Sequence, residues 1–196
     1  MLLRRLANPL SCIDIMNGTR DIEPQTTSPI TDARLQQAFD YWLGKRAGRR
    51  MPRRADLDPI DIPRLLPHVM LTEVVGPRRF RYRLIGTEIQ LAQGIHATGR
   101  FVDEVLKGDE YKPYVLDLYD EIVRECRPCY TESIFLSLQD GATERYTKRL
   151  MLPLSDDDST VNIIMVVQVF FYIDQNTRNR HFIDARPHKE TLHVLL

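Results

Sequence analysis

Arg79-Phe-Arg-Tyr-Arg-Leu-Ile-Gly-Thr-Glu-Ile-Gln-Leu-Ala-Gln-Gly-Ile-His-Ala-Thr-Gly99 changes its period in the middle. Phe80, Tyr82 and Leu84 alternate with Arg79, Arg81 and Arg83, the period of a strand with one apolar and one cationic face. Gly86 stops the strand. Thr87 then offers a hydroxyl to the open amides of a helix start, and Gln90 can reach back to it, which predicts a capping box at Thr87. Gly94 closes this short helix, because glycine takes the left-handed conformation without steric cost.

The neighbouring sequence extends the pattern on both sides. Upstream, His68 to Val75 reads as a strand, and Gly76-Pro77 turns it back into Phe80 to Ile85. Downstream, Tyr111 to Cys126 is the most strongly periodic helix, with Tyr114, Val115, Leu118, Tyr119, Ile122 and Val123 on one face. Pro128 stops it. Tyr130 to Leu138 and Glu144 to Leu154 read as strands joined by a tight turn at Asp140-Gly141. Val161 to Tyr172 is apolar on both faces, as a strand packed on each side would be. Two strands before a helical insertion and three after it predict a five-stranded antiparallel sheet with helices on one face, an α+β fold.

Ahead of this core, Thr31 or Asp32 can cap an amphipathic helix whose stripe includes Leu35, Ala38, Phe39, Trp42 and Leu43. A helix this short is marginal alone, so the stripe must pack against its own domain or a second copy. The segments expected are a leader over 1–30, the helix over 31–48, an Arg/Pro-rich connector over 49–67, the core over 68–174 and a polar tail over 175–196. The connector region carries Arg46, Arg49, Arg50, Arg53 and Arg54, followed by Asp56, Asp58 and Asp61. These residues could grip phosphates or pair within the chain; the acidic run favours forked arginine–carboxylate pairs. Pro52, Pro59, Pro63 and Pro67 limit any helix here to about one turn.

Composition narrows the function classes. Lys and Arg total 27, and so do Asp and Glu, a balance that argues against a dedicated nucleic-acid binder. Three cysteines, Cys12, Cys126 and Cys129, are too few for a disulfide framework and suit a reducing cytoplasm. The arginines at the N-terminus interrupt any signal-peptide core, and no apolar run approaches the ~20 residues that span a bilayer. Neither a membrane nor nucleic acid is an expected partner.

Cys126-Arg-Pro-Cys129 has the spacing of a redox dithiol but closes a helix, where the dipole raises a thiol pKa. His68, His96, His181, His188 and His193 form no i,i+4 pair, and no metal ligand or catalytic residue is assigned. A pocket between the Tyr111 helix and the sheet would take Phe101, Tyr114, Leu118, Phe135 and Tyr146 as its wall, the tyrosines adding directional hydroxyls. The same residues could simply fill the core. An enzyme on such a sheet would need an acidic group in the cavity, with Glu132 and Glu144 as the candidates.

Leu84-Ile85-Gly86-Thr87 followed by Gly94-Ile95-His96-Ala97-Thr98-Gly99-Arg100 resembles the PAS domain. Tyr41-Trp42, Lys45-Arg46, Gly48-Arg49, Met51-Pro52, Arg54-Ala55-Asp56 and Asp58-Pro59 resemble the block preceding the core in stand-alone PAS proteins of alphaproteobacteria. With the later strands, the resemblance covers Thr31 to Asp174. It implies a non-enzymatic sensory or adaptor protein that binds a small ligand, a partner protein, or both, and signals in trans. It also implies a homodimer through Leu35, Phe39, Trp42 and Leu43. Haem sensors that it resembles carry a histidine on the long helix, and flavin photosensors a cysteine early in the core. The sequence has neither, so neither cofactor is expected. The alternative is an interaction module with a filled core.

Overall fold

The computed structural model describes residues 28–94, 96–106, 109–137, 144–172 and 185–196, with side chains omitted at 93, 135–137, 144–145, 172 and 185–189. The elements are α1 (Ala33–Lys45), β1 (Val69–Gly76), β2 (Arg79–Ile85), α2 (Thr87–Gln93), α3 (Val102–Val105), α4 (Tyr111–Glu125), β3 (Cys129–Ser137), β4 (Glu144–Leu154), β5 (Ile163–Tyr172) and β6 (Ala185–Leu195). The connector holds single 3-10 turns at Arg54–Asp56, Pro59–Asp61 and Leu66–His68, as its prolines require. The predicted Asp140-Gly141 turn lies outside the described residues.

The sheet has six strands in the order β2-β1-β5-β4-β3-β6, and every pairing is antiparallel. The expected five are all present. The sixth, β6, pairs along β3 from Cys129↔Leu195 to Ser137↔Ala185 and falls in the segment expected to be a polar tail. Pro187 is tolerated there because β6 is an edge strand, where a missing N–H can face outward.

The helix ahead of the core, α1, covers the face of the sheet opposite α4. Consecutive strand residues point to opposite faces, and the registers align two rows across the middle. Glu132, Lys148 and Val169 share one face; Thr131, Arg149 and Gln168 share the other. On the first face, Lys148 reaches Thr31 just ahead of α1, and the Arg34 guanidinium lies 6.0 Å from the Phe171 ring centre. Leu35, Ala38 and Trp42 are buried there, and the Trp42 indole donates to the Pro153 carbonyl at 2.9 Å. On the opposite face, Tyr119 of α4 stacks on Phe80 and meets Thr72 through their hydroxyls at 3.1 Å.

The predicted capping box at Thr87 is replaced by another arrangement. Gly86 is the N-cap of α2 with no side-chain bond, and the Gln90 side chain donates to the Ile85 carbonyl at 2.7 Å. Glycine is required by close approach: a Cβ at Gly86 would stand 2.3 Å from the Pro67 carbonyl oxygen and 2.4 Å from that of Leu66. Gly94, at φ +70°, closes α2 in the left-handed conformation expected.

Gly86→Ala is therefore expected to destabilise the fold by about 3 kcal/mol or more, because backbone cannot move aside as a side chain can. Gly44, near the end of α1, has open space around its Cβ position. Gly44→Ala should raise stability by up to about 1 kcal/mol. Urea midpoints of the two variants measure both effects and their opposite signs.

Candidate functional site

The face of the sheet under α4 is unexpectedly polar. Thr72, Thr131, Ser133, Thr147, Arg149 and Gln168 are all buried, and the registers place them on this one face. Thr147 donates to the Val169 carbonyl at 2.9 Å and accepts from the Gln168 amide at 3.0 Å. α4 meets this face with tyrosines. Tyr114 bonds Ser133 at 3.2 Å and donates to Glu190 on β6 at 2.8 Å. Burial pushes the Tyr114 and Tyr119 hydroxyls up to about 12, so both stay neutral hydrogen-bonding groups.

Arg149 is the exceptional member. It is 5% exposed, and its hydrogen-bond partner is the Tyr111 hydroxyl at 3.5 Å. Tyr114 and Tyr119 lie within its electrostatic reach. No carboxylate among the described residues pairs with it, although a guanidinium keeps its charge at any accessible pH. A buried cation without a counter-ion is costly, by several kcal/mol in general.

At the outer flank of α4 a groove of about 370 Å³ is lined by Arg78, Tyr114, Asp117, Leu118, Asp120, Glu121, Arg124, Glu190 and His193. Behind it, Cys129 on β3 lies 3.3 Å from His193 on β6, and His193 lies 2.7 Å from Glu121 on α4.

Of the five residues expected to line the pocket, Tyr114 and Leu118 meet at the groove. Two do not join them. Tyr146 points from β4 to the face that carries α1, 5.8 Å from Phe171 and bonded to Glu132. Phe101 lies beside β2 beneath the Arg79 guanidinium, 3.9 Å from its ring centre. Phe135 belongs to β3, and its side chain lies outside those described. Glu132 pairs with Lys148 at 3.2 Å and accepts from Tyr130, so it is not the unpaired acid an enzyme would need. The Glu144 side chain also lies outside the described set.

Three residues of the α1 stripe, Leu35, Ala38 and Trp42, are spent in the chain's own core, leaving Phe39 partly accessible and Leu43 39% exposed. The basic segment is also partly consumed. Arg49 pairs with Asp56, Arg46 bonds the Arg49 carbonyl at 2.7 Å and Arg54 the Leu57 carbonyl at 3.0 Å. Arg50 and Arg53 remain exposed. Among the described residues, no helix is long and apolar enough to cross a membrane.

A family model described as PAS domain matches residues 30–167, more than half of the chain. No curated protein matches it. Among solved structures, the chain is similar to the LOV domain from Erythrobacter litoralis EL346 blue-light activated histidine kinase. That match has 19% identity and a TM-score of 0.39, and covers 53% of this chain and 94% of that one. It is also similar to the light-state Aureochrome1 LOV domain, at 14% identity and TM-score 0.40, covering 60% and 90%.

Cys129 and His193 superficially make a nucleophile–base pair, with Glu190 3.3 Å behind the imidazole. The thiol is in the wrong state for attack. Burial, then the Glu121 and Glu190 carboxylates, push it up to about 12, and a thiol reacts as its thiolate. Cys126 is half-buried at the left-handed C-cap of α4, φ +52°. With native protein and iodoacetamide, peptide mass mapping should show Cys126 alkylated at least about tenfold faster than Cys129. Equal rates would mean that α4 does not seal the sheet at β3.

Proposed function

Because the chain belongs to the PAS domain family, we propose that it is a non-enzymatic sensory or adaptor module. In this reading it binds a small anionic ligand between α4 and the sheet, and α1 passes the bound state to a partner protein in trans, in the cytoplasm. The observation that carries the reading is Arg149, a buried cation that lacks a carboxylate partner among the described residues and faces tyrosine hydroxyls. A carboxylate or phosphate would supply the missing charge in forked geometry, and the hydroxyls would supply direction.

The route out of the site runs through the strand itself. Arg149 and Lys148 are neighbours in β4 on opposite faces, and Lys148 reaches Thr31 at the start of α1. A ligand that binds one setting of β4 better than another thereby biases the entry of α1, which is how a ligand shifts a population. Phe39 and Leu43, the part of the α1 stripe left accessible, are where a second copy or other partner would sense the change.

The test is a thermal-denaturation screen of the full chain against carboxylates, fatty acids and phosphate esters. A ligand at 100 times its Kd is expected to add about 2.7 kcal/mol by mass action. Arg149→Met should keep the fold, since replacing a buried charge by an apolar side chain is often neutral or stabilising, and should abolish the shift. Failure of every anion to raise the melting temperature would overturn the sensor reading in favour of a protein-interaction module with a filled core.

A further inference from the structure

Glu121, Cys129 and His193 come from α4, β3 and β6, and their donor atoms all lie within 4.8 Å of one another. Nε2 of His193 is 2.7 Å from Oε2 of Glu121 and 3.3 Å from Sγ of Cys129. Both a neutral imidazole lone pair and a carboxylate oxygen are acceptors. At 2.7 Å a proton or a metal cation must therefore lie between them. Zinc bonds of about 2.0–2.3 Å to nitrogen, oxygen and sulfur set tetrahedral ligand atoms about 3.3–3.8 Å apart. The present spacings need adjustments of only about 1 Å to reach that range.

The surroundings are also those of a metal site. On the far side of the imidazole, Nδ1 is 3.3 Å from Oε1 of Glu190, whose Oε2 accepts from Tyr114 at 2.8 Å. With Nδ1–H donated to this carboxylate, Nε2 can coordinate once any proton it shares with Glu121 has left, an arrangement common behind metal-binding histidines. Register adds rigidity: Cys129 faces Leu195 and Thr131 faces His193 across β3 and β6. In front, Asp117 and Asp120 of the groove are already paired with Arg78, at 2.6 and 3.5 Å, so the ligand charge comes from Glu121 and Cys129 themselves.

We propose that Glu121 Oε2, Cys129 Sγ and His193 Nε2 bind a zinc-class divalent cation, with a groove water as fourth ligand and Glu190 as a positioning residue. The thiolate and imidazole select zinc over magnesium or calcium, which prefer all-oxygen sets. On binding, the Cys129 proton and any proton between Glu121 and His193 leave to solvent, so uptake releases acid. Glu121 and Cys129 then contribute two negative charges that balance the dication. The three ligands stand whether or not an anion binds at Arg149.

The test uses the full chain freed of metal by a chelator and titrated with zinc chloride, then with cobalt(II) as a spectroscopic probe. One metal per chain is expected, with a thiolate-to-cobalt charge-transfer band and the intense visible bands of a tetrahedral centre. Cys129→Ser should remove the charge-transfer band, and His193→Ala, an exposed position, should abolish stoichiometric binding without unfolding the chain. Glu190→Gln should weaken zinc about 10–100-fold, while Cys126→Ser should leave affinity and spectrum unchanged. The proposal is overturned if the wild-type chain takes up no stoichiometric zinc, if the cobalt spectrum lacks the thiolate band, or if His193→Ala binds as tightly as wild type. Retention of the thiolate band in Cys129→Ser, or its loss in Cys126→Ser, would overturn it as well, by assigning the sulfur elsewhere.

Discussion

Side chains of a strand alternate between faces, and in β4 that rule turns two adjacent cations into parts of two different environments. Lys148 goes to the face covered by α1, where Glu132 and the hydroxyl of Thr31 receive it. Arg149 goes under α4, where it finds hydroxyls and no carboxylate among the described residues. A slip of one residue in β4 would exchange them and reverse every pairing with β3 and β5. Trp42 resists that slip because its indole is bonded to the Pro153 carbonyl in the same strand. The burial of Arg149 is thus a consequence of how α1 is fastened to the opposite face.

The middle of the sheet explains why both faces need cover. Ile164, Met165, Val166 and Val167 of β5 are essentially inaccessible, whichever way each points. A strand apolar on both faces exposes hydrophobic area unless something lies on each side, at roughly 25 cal/mol per Å² left in water. α1 meets one side and α4 the other. The helix before the core is therefore structural first. What packing leaves accessible on it is chiefly Phe39 and Leu43, and Lys148 connects its start to β4.

The sequence made the order of elements legible because each has its own period. The alternating arginines of β2, the stripe of α4 and the doubly apolar β5 are unambiguous. β6 was not legible: Arg186-Pro187-His188 and the polar residues around it read as tail, and an edge strand needs no strong alternation when β3 supplies the pairing. The five residues expected to wall a pocket divide between places in the fold. Tyr114 and Leu118 followed from helical spacing, but Tyr146 was assigned by residue type when its parity with Lys148 puts it on the other face. The same parity carried the missed signal. Arg149 has the phase of Met151, a core residue, so a charge there marks an inward cation that no surface role explains. His193 and Glu121 lie too far apart in the chain for spacing to join them to Cys129.

The Arg149 site and the Cys129 cluster belong to one electrostatic system. His193, Thr131, Arg149 and Gln168 form a row across four strands, and Tyr114 borders both environments through Ser133 and Glu190. An anion on Arg149 would remove the positive charge that opposes a cation at Cys129. A cation there would in turn offset the carboxylates that oppose an anion. Such coupling is equal in both directions, because the effect of each ligand on the other's affinity is one free energy.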